Sequence, residues 1–218
     1  ETGARLRYAR PEAAFDAPGA DAYDGAVALW SLATPGAPEA LFACQAPALC
    51  VRCDPAQPAV VVAGTATGQV VLWDARTPST LPCQRSPLDT HAPHARGVAK
   101  LEAHGDAICT CSADGVVCYW SCAQLQRPVE RHAVTDERGK TVPVSCLAFS
   151  DPGVDDRELW LGDEFGGAHA ARCGGGASGK TIAKPFGASH GGFVASIAAH
   201  PAGSAHAARA ADALGLRR

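Results

Sequence analysis

Short apolar runs, each closed by glycine or proline, set the rhythm of the chain. Three segments share one pattern: YDGAVALWSL (23–32), ATGQVVLWDA (66–75) and ADGVVCYWSC (113–122). In each, a glycine precedes a tryptophan by five residues: Gly25 and Trp30, Gly68 and Trp73, Gly115 and Trp120. The glycine suits a tight turn that needs positive φ, and Asp-Gly at two of the three turns is a strong hairpin signal. The β-branched and aromatic residues after each turn suit a strand with one face buried.

The runs before the turns also read as strands. PAVVVAGTATG and GDAICTCSADG are apolar and end in small residues, while ALCVRCDP and VSCLAFSDP look like further strands that stop at or near a proline. FVASIAAHP (193–201) repeats that strand-then-proline signature. The tryptophans stand 43 and 47 residues apart, near the roughly 40–45 residues of a propeller blade built from four strands. A degenerate fourth unit, ELWLGDEFGGAHAARC, has its turn at Gly166 and Ala171 at the tryptophan position. The repeat is identified as that of a WD40 β-propeller, with Trp73-Asp74 as its literal WD dipeptide. The expected fold is therefore all-β, about four blades of a larger, incomplete WD40 β-propeller. Its turns fall at Gly25, Gly68, Gly115 and Gly166, and a fifth unit begins at 193–201. Residues 1–204 form the partial propeller, and residues 205–218 form an Ala-rich tail without assignment. Closed propellers have typically 4–8 blades, so an open arc exposes edge strands and one apolar face of each end blade.

Composition narrows the setting. With 47% hydrophobic residues and a mean hydropathy of −0.02, the chain can bury a sizeable core, and no run approaches the roughly 18–20 apolar residues of a membrane span. ETGARLRYARPEA lacks the apolar segment of a signal peptide. A net charge of −3 and a pI near 6.2 give no electrostatic footprint for nucleic acid or anionic lipid. Ten cysteines are present. Cys50-x-x-Cys53 has no partner pair at zinc spacing, since Cys109/Cys111 and Cys118/Cys122 are spaced wrongly. Most cysteines lie in apolar runs, where a thiol behaves as a small hydrophobe, and they indicate a reducing, intracellular compartment. The chain has no methionine, so it is expected to be processed or to be a piece of something longer.

Candidate chemistry is sparse. Gly174 with Gly179-Lys180-Thr181 fits the phosphate-binding spacing G-x-x-x-x-G-K-[ST], which requires a strand before it and a helix after it. Pro185 and Gly187 oppose that helix, and no Walker B run follows, so residues 173–186 read as a flexible blade-to-blade connector. His91-x-x-His94 has metal-like spacing but lies in a proline-containing loop, where one histidine is expected to pack near the next blade's hydrogen-bonded core. His190 is expected to make a structural hydrogen bond to a neighbouring strand. Asp24 and Asp114 serve tight turns, and VTDERGKTVP (134–143) is a charged surface loop. No G-x-S-x-G or H-E-x-x-H motif occurs. No catalytic, cofactor-binding or metal-binding residue is assigned, and the chain is read as a scaffold.

The second unit goes further than the fold. VVVAGTATGQVVLWDARTPSTLPCQRSPLD (60–89) closely resembles a blade of the cytoplasmic dynein intermediate chains. Gly64, Thr65, Gly68, Gln69, Trp73 and Asp74 match its G-T-x-x-G-Q-[IV]-V-L-W-D run. Gln84, Arg85, Ser86, Pro87 and Leu88 match its Q-R-[ST]-P-L element, the most specific part. The flanking units are similar to the family's neighbouring blades, so the resemblance spans about residues 23–204 in order. It implies a non-catalytic subunit of a microtubule motor, in the cytoplasm on the cytoskeleton, whose propeller docks on the dynein heavy chain. Dynein light and light-intermediate chains would be partners through the complex, and dynactin through an N-terminal extension absent from these 218 residues. An axonemal dynein intermediate chain, or another WD40 protein-interaction scaffold, is the alternative. A P-loop nucleotide-binding protein is a more distant one.

Overall fold

In the computed structural model, residues 23–89, 92–104, 107–151, 155–174, 178–186 and 189–198 are described. The described residues form strands and no helix. Strands β1 (Gly25–Leu29) and β2 (Ala40–Cys44) pair as an antiparallel hairpin, the first blade. The second blade is the meander β3 (Ala48–Cys53), β4 (Val60–Thr65), β5 (Val70–Asp74) and β6 (Gln84–Arg85). The third is β7 (Val98–His104), β8 (Ala107–Ser112), β9 (Val116–Ser121) and β10 (Glu130–Thr135). The fourth is β11 (Val144–Asp151), β12 (Asp155–Asp163), β13 (Ala168–Arg172) and β14 (Ser178–Pro185). The leading strands β3, β7 and β11 contact one another in order. Each carries a bulge near its start, between Ala48 and Cys50, Val98 and Lys100, and Val144 and Cys146. A bulge sharpens local twist, and its recurrence marks the three strands as equivalent parts of a repeated unit. The architecture is that of a partial WD40 β-propeller.

The core lies between the blades rather than within them. Val27 and Phe42 of the first blade meet Val61, Val71 and Trp73 of the second. Val62 and Leu72 meet Leu101, Ile108 and Trp120 across the next junction. Cys109, Val117 and Tyr119 meet Leu147, Leu159 and Leu161 across the third. A strand with a neighbour on each side buries both faces, so β4 and most of β9 are buried at successive positions. That is why their sequences run as continuous apolar stretches instead of alternating.

Residues 173–186 depart from the expected connector. From Ser178 to Pro185 they form β14, which pairs in parallel with β10 through Ser178–Ile182 and antiparallel with β13 through Ala183–Pro185. This one strand joins the outer edges of the third and fourth blades into a single eight-stranded sheet. The reason is a period of two that the preceding glycines obscure: Thr181 and Ala183 are buried, while Lys180, Ile182 and Lys184 are exposed. Gly179 lets the strand pass close over His132, whose Nδ1 would lie 3.2 Å from a Cβ at that position. Beneath it, Glu130 accepts hydrogen bonds from Arg157 and from His132 (Nε2, 2.9 Å). Arg157 also covers the Tyr119 ring, so a buried charge cluster with internal partners anchors β10 against β12.

Two further expectations change. Gly25 opens β1 without positive φ; its place is fixed by packing, because a Cβ there would strike the backbone of Ala46. Residues 193–198 form no strand. Val194 instead seats on Gly162 and accepts the Ser145 hydroxyl at 2.7 Å. His91, the end of the 193–201 segment and the tail 205–218 lie outside the described residues.

The fourth blade leaves part of its forward face open. Trp160 and Phe186 pack edge to face at 4.4 Å between centroids on the forward side, where Ile182 remains 54% exposed. Apolar surface of this kind drives association. The purified 218-residue chain is expected to grow in sedimentation mass with concentration, and Ile182→Lys should return it towards monomer. A concentration-independent monomer with one cooperative melting transition would contradict this.

Candidate functional site

The blade-signature residues are held by one repeated geometry. Gly68, Gly115 and Gly166 adopt φ of 86°, 76° and 91°, values that favour glycine. Each turn also presses against the segment leading into the following unit. A Cβ on Gly68 would meet the backbone oxygens of His94 and Arg96 at 2.5 and 2.7 Å. Gly115 abuts Thr141 and Val142, and Gly166 abuts His190 and Gly192. Any larger residue would therefore be strained and would also push two blades apart.

In the third blade the turn continues into a buried polar chain. Asp114 accepts the backbone N–H groups of Ala95 (2.7 Å) and Val116 (2.9 Å) and lies 3.7 Å from Nδ1 of His94. His94 Nε2 is 2.8 Å from the Thr110 hydroxyl, which accepts Nε1–H of Trp120 at 2.9 Å. The Thr110 hydroxyl also reaches the Cys118 carbonyl at 3.5 Å, and His94 Nδ1 is buried without a hydrogen-bond partner, with Asp114 as its nearest carboxylate. His94, Thr110 and Trp120 are all essentially inaccessible. The chain ties the loop at 92–97, strand β8, the turn and strand β9 into one unit. Thr110 was not singled out from sequence, although its place ten residues before the tryptophan is a usable signal.

The same positions are filled differently elsewhere. In the second blade Ala63 stands where Thr110 does, so buried Trp73 Nε1 has no hydrogen-bond partner. In the fourth blade the pair is Leu161 and Ala171, both buried, an apolar large-for-small exchange. Trp30 is half-buried at the end of β1. Asp74, partly exposed, is bound by the Arg76 guanidinium at 2.6–3.1 Å, which holds its carboxyl at about 2. His190 contributes a backbone N–H to the carbonyl of Gly166 at 2.7 Å. Asp24 is exposed just before β1. Asp136 caps the 134–143 turn by accepting the N–H groups of Arg138 and Lys140.

The described residues of the phosphate-binding spacing show no phosphate-binding geometry. Residues 178–182 are engaged in the parallel ladder with β10, Lys180 is exposed, and the buried Thr181 hydroxyl donates to Cys173 Sγ at 3.7 Å. Among the described residues no three His, Cys, Asp or Glu side chains gather as a metal site. All ten cysteines are free thiols. Burial pushes Cys44 up to about 11 and Cys50 up to about 12, which leaves them inert as nucleophiles. What the described residues present is a stack of sheets with loops and edges at its rim.

Two outcomes test the buried chain. Trp73→Phe and Trp120→Phe remove similar volume, but only Trp120 loses a hydrogen bond. Trp120→Phe should therefore cost about 1 kcal/mol more in denaturant unfolding; equal losses would deny the bond a role. Burial alone would raise the Asp114 carboxyl, but His94 and the two N–H donors bring it below its ordinary value. A carboxyl depressed on folding adds stability that is present above about pH 4 and is lost as the pH falls through the folded value. Asp114→Asn should lower stability at pH 7 by about 1 kcal/mol and flatten the acid limb of a stability–pH curve.

No protein-family model matches the chain. Among curated proteins it is 30% identical, over 153 residues, to the cytoplasmic dynein 1 intermediate chain of Drosophila melanogaster. That match takes in 68% of this chain and 23% of the relative. It is 28% identical over 105 residues to dynein intermediate chain 3, ciliary, of Heliocidaris crassispina, covering 47% of this chain and 17% of the relative. The chain thus spans about a quarter or less of the curated relatives it matches. Joined to a propeller of repeated Gly-x4-Trp turns, these matches show that the chain belongs to the dynein intermediate chain family.

Proposed function

We propose that this chain carries propeller sequence of a cytoplasmic dynein intermediate chain, a non-catalytic scaffold that docks on the dynein heavy chain for minus-end-directed transport. The observation that carries this reading is the match to the cytoplasmic relative, which extends over more of the chain than the match to the ciliary one. The Q-R-S-P-L element at Gln84–Leu88 supports the same branch.

The geometry agrees with a scaffold. Three histidines, His94, His132 and His169, are buried and held by Thr110, Glu130 and Asp163. The exposed surface consists of rim loops and strand edges, which recruit partners through shape and backbone pairing. In this role the chain sits in the cytoplasm on microtubules. It meets light and light-intermediate chains through the complex, and dynactin through sequence N-terminal to the propeller.

Affinity capture with the full-length gene product as bait should recover dynein heavy chain. Its absence from the captured material, with the bait folded, would sink this reading. The nucleotide-binding alternative has its own check: labelled ATP or GTP with Mg²⁺ should show no saturable binding, and micromolar binding lost in Lys180→Ala would revive it.

A further inference from the structure

The Q-R-S-P-L element has two halves, and the fold accounts for one. Gln84 accepts the Leu125 N–H at 3.0 Å and donates to the Ala123 carbonyl at 3.2 Å, which links the second blade to the third. Buried Ser86 accepts the Val70 N–H at 2.9 Å, and its carbonyl accepts the Gln69 amide at 2.6 Å. Arg85 and Leu88 lie between and beyond these anchors, are exposed, and support no packing that would explain them.

Arg85 lines a lateral cleft of about 430 Å³ and, together with Leu88, its continuation of about 320 Å³ along the same wall. These volumes fall in the range of small-ligand and short-peptide sites. The cleft runs beside β6, the edge strand of the second blade. Gln45 enters from the link between the first two blades, and Gln126 from the β9–β10 loop of the third. Leu81 and Leu88 flank it and are about half exposed. Arg85 is the one charged side chain in the lining, no acidic side chain faces it there, and it makes no ion pair among the described residues.

We propose that this cleft binds an extended peptide segment carrying a carboxylate side chain beside an apolar one. Arg85 receives the carboxylate, since a guanidinium that, among the described residues, has no acidic partner in its cleft is complementary to a planar anion. The primary amides of Gln45 and Gln126 each offer a donor and an acceptor, the complement of a peptide group. The edge of β6 lets the segment run as an added strand, with apolar side chains on Leu81 or Leu88. The site is built from this chain alone and does not rest on the dynein reading.

Cys83 is an exposed thiol in the same lining, so it reports occupancy. Random 12-residue peptides displayed on phage should be selected against the 218-residue chain, held at low concentration, and against its Arg85→Glu variant. Peptides enriched on the parent should be rich in Asp and Glu, slow alkylation of Cys83, and lose at least about tenfold in affinity on Arg85→Glu, as expected for one charge-assisted contact. Arg85 is exposed and unpaired, so the variant should melt with the parent, and a matching thermal transition verifies that. Selected peptides without acidic bias, binding that leaves Cys83 alkylation unchanged, or affinity indifferent to Arg85→Glu would each overturn the proposal. Protection of Cys83 by inorganic phosphate or ATP in place of the peptides would overturn it too.

Discussion

The second and third blades are apolar on both faces, and burial of those faces is the constraint from which the rest of the structure follows. A four-stranded sheet of this width cannot shield itself, so each blade is stable only when sandwiched by the next. The three interblade cores at Phe42–Trp73, Leu72–Trp120 and Tyr119–Leu161 supply that contact. They also explain the turns. Blades that stack this closely bring each hairpin turn against the next unit's entry segment, and glycine is the residue that tolerates both the backbone angle and the approach.

Within that stack, polar chemistry refines rather than creates the fold. The third blade spends four side chains, Asp114, His94, Thr110 and Trp120, on a buried chain that aligns its loop, turn and two strands. The second blade keeps the tryptophan without the threonine and leaves its indole N–H unmatched, while the fourth replaces both with Leu161 and Ala171. One backbone position thus tolerates a hydrogen-bonded pair, an unmatched donor and a purely apolar pair. The common requirement is volume between blades, as close packing of interiors demands. The outer rim is under less constraint, and there the chain leaves Arg85, Leu88 and Cys83 open to solvent.

Much of this is legible in the sequence. The Gly-to-Trp spacing located the turns at Gly68 and Gly115, and the same register carried on to Gly166. The strand after Gly115 reads as buried on one face, whereas β9 is buried at successive positions because a blade packs on each side of it. The Q-R-S-P-L element pointed to the family, though not to its division into anchors and exposed residues. Thr110 was missed because a threonine inside an apolar strand looks like any β-branched strand former; its role depends on Trp120 and His94 arriving on the same face. Gly25 looked like its counterparts at 68 and 115 but serves a packing contact, a distinction that local pattern does not carry.

The segment at 173–186 shows where local reading ends. Its glycines and lysines suggested a loop, and its spacing even imitated a phosphate cradle. The alternation of Thr181 and Ala183 against Lys180, Ile182 and Lys184 was present in the sequence, but a period of two over so few residues does not say what the strand pairs with. Sequence by itself determined the repeat, the strand-rich class and the positions where blades turn, because these depend on side-chain period and on the backbone freedom of single residues. Tertiary structure alone decided that β14 bridges β10 and β13, that Gly179 passes over His132, and which side chains of the rim remain unpaired. Those outcomes rest on contacts between residues from about a dozen to about fifty apart, which are set by how blades stack and not by any local preference of the chain.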